Sequence, residues 1–139
     1  MNNMTFVDLQ NHMNLRKQTG SQVKYTYRSA EQILQMFKTL SSGWEIALND
    51  DILEIGGRLF VKSTAAVTNN DEKRSSVAFA ELADVPVLNT QKGDRKQMTE
   101  PQWTGAVSSY SRKYALQGLF GIADVDVDEL ELEQAAFKK

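Results

Sequence analysis

Between Trp44 and Leu82 the chain is cut by short polar turns into runs of alternating apolar and polar residues, and this stretch constrains the fold more than any other. Trp44 to Asn49 alternates residue by residue. Asn49–Asp50–Asp51 reads as a turn before Ile52 to Ile55, and Gly56–Gly57 is a two-residue hairpin signal. Leu59 to Thr68 is the partner strand, Asn69–Asn70–Asp71 the next turn, and Arg74 to Leu82 a further strand with Val77 and Phe79 on one face. Strands that follow one another through tight turns pair antiparallel, because a parallel neighbour needs a long crossover. The expectation is a three- to four-stranded antiparallel meander.

Such a sheet needs one face covered, and the flanking segments supply helices. Thr5 to Arg16 places Phe6, Leu9 and Met13 at helical spacing, with Thr5 as cap. Lys17 to Lys24 is polar with one Gly and reads as a loop. In Ser29 to Leu40, Ser29 and Gln32 form a capping box before a stripe of Ile33, Phe37 and Leu40, and Ser41–Ser42–Gly43 ends the run. Asp84 to Met98 reads as a long polar loop carrying Lys92, Arg95 and Lys96, mobile until a ligand orders it. The strongest helix is Glu100 to Phe120. Thr99 and Gln102 box its start, Pro101 sits in its first turn, Trp103, Val107, Tyr110 and Tyr114 share one stripe, and Gly121 stops it. The fold class is therefore α+β: a meander packed by a long C-terminal helix, preceded by short N-terminal helices.

Charge divides the chain. Residues 1–122 carry 14 Lys and Arg against 12 Asp and Glu, whereas residues 123–139 carry 2 against 6. The reading is a mildly basic domain over residues 1–123 and an acidic tail over 124–139. The absence of cysteine excludes disulfides and thiolate metal sites and fits a reducing, cytoplasmic setting. A single histidine, His12, leaves no histidine-rich zinc site. No apolar run approaches the ~20 residues of a membrane span, and Met1 to Phe6 has no signal-peptide pattern. Gly56–Gly57 is followed by no phosphate-binding loop, so ATP hydrolysis is not expected. Asp124, Asp126 and Asp128 have the spacing that opens a calcium loop, but Glu129 stands where that loop needs Gly and Ala135 where it needs Glu.

On the long helix, Gly105, Ala106, Ser108, Ser109 and Ser111 are small, and Arg112 and Lys113 stand together between Tyr110 and Tyr114. At 100° per residue both cations cannot point into a core. Cations beside aromatic rings suit a surface that takes phosphates and bases. The pattern Q-x-x-G-A-x-x-S-Y-x-R-K-Y-A-L-x-G-L-F-G-I from Gln102 to Ile122 resembles the signature of the Erf family of phage and prophage single-strand annealing proteins. Tyr25 to Leu34 resembles that family's N-terminal motif, and the likeness extends over about Phe6 to Asp128.

The resemblance implies a β-β-β-α core like that of the ring-forming eukaryotic annealing protein of homologous recombination. It implies a homo-oligomer, ring or helical filament, that holds single-stranded DNA and anneals a complementary strand without ATP. It casts Arg112 and Lys113 as the basic pair of the long helix and Arg28 as the basic residue opening the upstream helix. Lys24, Tyr27, Tyr110 and the loop cations Lys92, Arg95 and Lys96 complete the expected DNA surface. No catalytic residue, resident metal or cofactor is expected; a divalent ion such as magnesium would only help screen two strands. A single-strand-binding protein or an exonuclease of phage or host is an implied partner, in the bacterial cytoplasm and away from membranes. Many relatives carry a further C-terminal region, whereas this sequence stops at Lys139. The competing readings are a small metal-dependent nuclease acting through the tail aspartates with Glu100, and an oligomeric scaffold without DNA binding.

Overall fold

The computed structural model describes residues 3–18, 21–24 and 27–123, with side chains described for 3–15 and 27–123. In chain order the elements are α1 (Phe6–Asn14), β1 (Leu15–Gln18), β2 (Ser21–Lys24), α2 (Ala30–Leu40), β3 (Glu45–Ile55), β4 (Arg58–Asn69), β5 (Glu72–Glu81), β6 (Val87–Thr90), β7 (Gly93–Lys96) and α3 (Glu100–Phe120). The acidic segment 124–139, with its aspartates, lies outside the described residues.

The helix ends follow local chemistry. The Thr5 hydroxyl accepts the Asp8 N–H at 3.1 Å, and the Ser29 hydroxyl accepts that of Gln32 at 3.2 Å. The box expected at α2 is altered, because the Gln32 side chain accepts from the Arg28 N–H at 2.6 Å instead of from Ser29. At α3 the reciprocal box forms in full between Thr99 and Gln102. Gly121 closes α3 at φ 66°, a left-handed conformation that costs glycine little.

The meander is a three-stranded sheet in the order β3-β4-β5, antiparallel throughout. Here the structure corrects the sequence reading: Asn49–Asp50–Asp51 is not a turn, and β3 runs unbroken from Glu45 to Ile55. Asp50 pairs with Ser63 across the ladder and turns its carboxylate toward α3, where polar partners receive it. Lys17 to Lys24 is not a loop either; Leu15 pairs with Lys24 and Gln18 with Ser21 in a short hairpin. Asp84 to Met98 is likewise not structureless, since Val87 pairs with Lys96 and Thr90 with Gly93. Strands of four residues carry too few alternations for a period to emerge from sequence.

One face of the sheet packs on α3, which lies over β4 and β5. Val61, Ser63, Ala65 and Val67 of β4 are buried on that face. Helices α1 and α2 close the end of this layer, so that Leu9, Met13, Ile33, Phe37 and Trp44 join Leu116, Leu119 and Phe120 in one core. The buried stripe of α3 differs from the expected one. It runs through Val107, Ser111, Ala115 and Leu119, while Tyr110 is 57% exposed. Ser111, fully buried, satisfies its hydroxyl by donating to the carbonyl of Ala78 at 3.2 Å.

Gly118 lets α3 approach β5 closely, because a Cβ at this position would lie 2.6 Å from the Ser76 Oγ. Alanine favours a helix interior by up to ~1 kcal/mol over glycine. Gly118→Ala should therefore give little or no gain alone, yet stabilise the protein by up to ~1 kcal/mol in a Ser76→Ala background. Urea unfolding of the four combinations checks this, and equal gains in both backgrounds would contradict the close approach.

Candidate nucleic-acid interface

Two clusters flank the long helix. On its β3 side, Ser108 and Arg112 stand one turn apart and meet the Asp50 carboxylate. Arg112 Nε lies 3.2 Å from both carboxylate oxygens, Ser63 Oγ donates to Oδ1 at 2.8 Å, and the Ser108 hydroxyl donates to Oδ2. The Arg112 side chain remains 38% exposed. Asp50 therefore fixes the guanidinium through Nε, and no partner among the described residues takes its two Nη groups.

Partial burial pushes the Asp50 carboxyl up, but hydrogen bonds from Ser108, Arg112 and Ser63, with the Arg112 charge, outweigh it and hold the carboxyl below the usual aspartate range. A carboxyl lowered by folding stabilises the fold above its unfolded value of ~4, and that contribution is lost as pH falls through the folded value. The stability difference between the natural chain and Asp50→Asn should thus be constant above about pH 5 and shrink on acidification below ~4. Denaturation midpoints across pH measure it; a difference independent of pH down to 2 would show that Asp50 does not titrate with folding.

On the β5 side, the Tyr110 and Tyr114 rings lie 4.8 Å apart and tilted by 53°, and Lys113 Nζ stands 5.6 Å from the centre of the Tyr114 ring. Beside them a groove of about 540 Å³ runs between α3 and the edge of β5, with Phe79, Ala80, Trp103, Val107 and Tyr110 among its lining. The Trp103 indole is fixed by donating to the Ala83 carbonyl at 2.7 Å.

The sequence-predicted residues are thus only partly brought together. Tyr110 and Lys113 share a cluster through Tyr114, whereas Arg112 turns to the opposite flank. Lys92, Arg95 and Lys96 stand on the exposed β6–β7 hairpin that leads into α3, and Lys96 is ion-paired with Glu100. That pairing holds the Glu100 carboxyl below its usual range. Arg28 is exposed just before α2. Tyr27, expected on the surface that would take DNA, is instead buried, and its hydroxyl donates to the Met13 carbonyl at 2.6 Å. The Lys24 side chain lies outside the described residues. The sequence reading missed Asp50 and Ser63, because a partner 62 positions away leaves no local signal; the i, i+4 spacing of Ser108 and Arg112 was the one available hint.

Among the described residues no group of three or more His, Asp or Glu side chains is placed to hold a metal ion, and no helix is long and apolar enough to cross a membrane. No solved structure matches the chain. Over 133 residues it is 40% identical to the Essential recombination function protein of Salmonella phage P22, spanning 93% of this chain and 60% of that protein. The ERF superfamily profile matches residues 3–137, and the chain belongs to that superfamily.

Proposed function

We propose that this chain is the DNA-binding core of a phage recombination protein, which binds single-stranded DNA and anneals it to a complementary strand without ATP. The carrying observation is the exposed surface of α3: a guanidinium fixed by Asp50 on one flank and a tyrosine pair with Lys113 on the other. Annealing makes and breaks no covalent bond, so it needs no catalytic group. It needs phosphates neutralised, bases held accessible and a strand kept extended while a second strand samples registers. Arg112 and Lys113 serve the first by releasing counterions. An exposed Tyr110 ring serves the second, since stacking on an aromatic side chain contributes ~1–3 kcal/mol per base. One protomer presents too few such groups to grip a long strand, and assembly into a ring or filament makes the binding multivalent. The similarity to a protein named for essential recombination function supports this reading.

The test is fluorescence anisotropy of labelled single and double strands, with the DNA then analysed for length. The proposal expects preference for single strands, binding that weakens steeply with salt, and intact DNA with or without magnesium. Magnesium-dependent shortening would favour a nuclease, and no binding at low salt would favour a scaffold; either result overturns the proposal.

A further inference from the structure

On its β5 flank, the long helix runs opposite to the strand. Gly118 lies against Ser76, the Ser111 hydroxyl donates to the Ala78 carbonyl, and the Trp103 indole donates to that of Ala83. Going back from Gly121 along α3, this flank therefore presents its features in a fixed order. At 1.5 Å of rise per residue, Lys113 comes after ~12 Å, Tyr110 after ~17 Å, and the groove at Val107 and Trp103 after ~21–27 Å. Exposed Lys73 and Arg74 open β5 at the Gly121 end. Cations come first and the apolar groove second. Among the described residues β5 hydrogen-bonds to β4 alone, so its outer edge is able to hold a further stretch of chain extended.

The acidic segment that follows α3 has the matching order. Asp124 to Glu133 reads D-V-D-V-D-E-L-E-L-E, six acids and no cation. In an extended chain alternate residues share a face. The even positions are Asp124, Asp126 and Asp128, followed by Leu130 and Leu132. Anions come first and apolar side chains second. The chain already turns back at the end of α3, where the Ile122 N–H donates to the Gln117 carbonyl at 2.9 Å. At ~3.3 Å per residue from Ile122, Asp126 would stand ~13 Å away, level with Lys113, and Leu130 ~26 Å away, level with Trp103.

We propose that the occupant of the groove between β5 and α3 is the chain's own segment 124–132, which lies back along the helix and masks Lys113, Tyr110 and the groove. Carboxylates then stand where a DNA strand would bring phosphates, and leucines fill the groove beside the ring on which a base would stack. Single-stranded DNA must displace the segment to reach this flank, whereas Arg112 on the opposite flank is not covered. This consequence rests on the proposed DNA-binding reading; the docking itself does not.

The natural chain has no cysteine, so an engineered pair reports cleanly. Ala106 lines the groove. In the whole chain, Ala106→Cys with Leu130→Cys should form an internal disulfide on oxidation, because docking brings the two within the ~4.4–6.8 Å Cα separation that the bond spans. Ala106→Cys with Glu131→Cys should bridge far less, since position 131 points to the opposite face. The bridged chain should bind a labelled single strand about tenfold more weakly than the same chain after reduction. Leu130→Ser with Leu132→Ser changes no charge, so relief of simple repulsion would leave its affinity as it was. Docking predicts about tenfold tighter binding for it, the gain from opening a site that was open roughly one tenth of the time. No internal bridge, bridging as frequent from 131 as from 130, or cross-linked dimers in place of internally bridged chains overturns the proposal. A DNA affinity unchanged by the leucine variant overturns it too. An internal bridge in a chain that binds no single strand keeps the docking and removes the DNA reading. Tight binding by a chain that forms no bridge removes the docking alone.

Discussion

Replacing Arg112 and Lys113 together with Ala should lower the slope of log affinity for single-stranded DNA against log salt by ~1.4, at ~0.7 for each phosphate contact removed. If the electrostatic difference vanishes near 1 M salt, the same slope amounts to a loss on the order of 25-fold per protomer at ~0.1 M. Both cations are partly exposed on α3, and the two leave the helix about 100° apart, so on the proposed reading they would reach different parts of a strand. Arg112→Ala also leaves Asp50 with Ser63 and Ser108 as its remaining donors, so binding must be compared on protein shown to be folded by circular dichroism. Asp50→Asn is the informative control. It keeps the cation but loosens its anchoring, and should preserve the slope while reducing affinity less than the double variant does. An unchanged slope in the double variant, with the fold intact, would make the pair structural.

Phe120→Ala should cost about 3–5 kcal/mol of stability, the usual range for removing a buried aromatic side chain. Phe120 is fully buried, and its ring lies 6.0 Å from that of Phe37, which ties α3 to α2. The same turn ends the helix, where carbonyls lack intrahelical partners. Asn14 donates to the Phe120 carbonyl at 2.8 Å and Gln10 to that of Leu119 at 3.0 Å, so α1 caps the end of α3 with two side chains. Loss of the ring would loosen all three helices at once. Against a total of roughly 5–15 kcal/mol for a domain, that is enough to leave much of the protein unfolded on mild heating. The midpoint of urea unfolding checks it; a change below ~1 kcal/mol would mean that this helix junction contributes little.

What was legible in the sequence was what is decided locally. The Thr5, Ser29 and Thr99 caps, the Gly121 stop and the glycine hairpin depend on residues three or four apart, and the structure places each where the sequence pattern put it. The family was legible because Gln102 to Ile122 carries so many fixed positions. What failed depends on distant partners. Asp50 read as a turn residue because its neighbours are Asn49 and Asp51, whereas Arg112, Ser108 and Ser63 make it a strand residue. Tyr27 was placed among the expected DNA-surface residues because nothing in its surroundings announces the Met13 carbonyl. Tyr110 and Val107 fell on one expected stripe, yet α3 sits over two strands with Ser111 beneath it, which turns Tyr110 outward. Side-chain type set which residues are candidates for a DNA surface; tertiary packing set which of them are exposed.

The central claim is annealing without ATP, and its most direct measurement uses two complementary oligonucleotides carrying a donor and an acceptor fluorophore. Mixed with the protein at a concentration where spontaneous pairing is slow, they should show energy transfer rising much faster than without protein. The rate should be the same with and without ATP, and lower for the Arg112 and Lys113 double variant. Energy transfer no faster than the spontaneous rate, under conditions where the protein binds each single strand, would contradict the account.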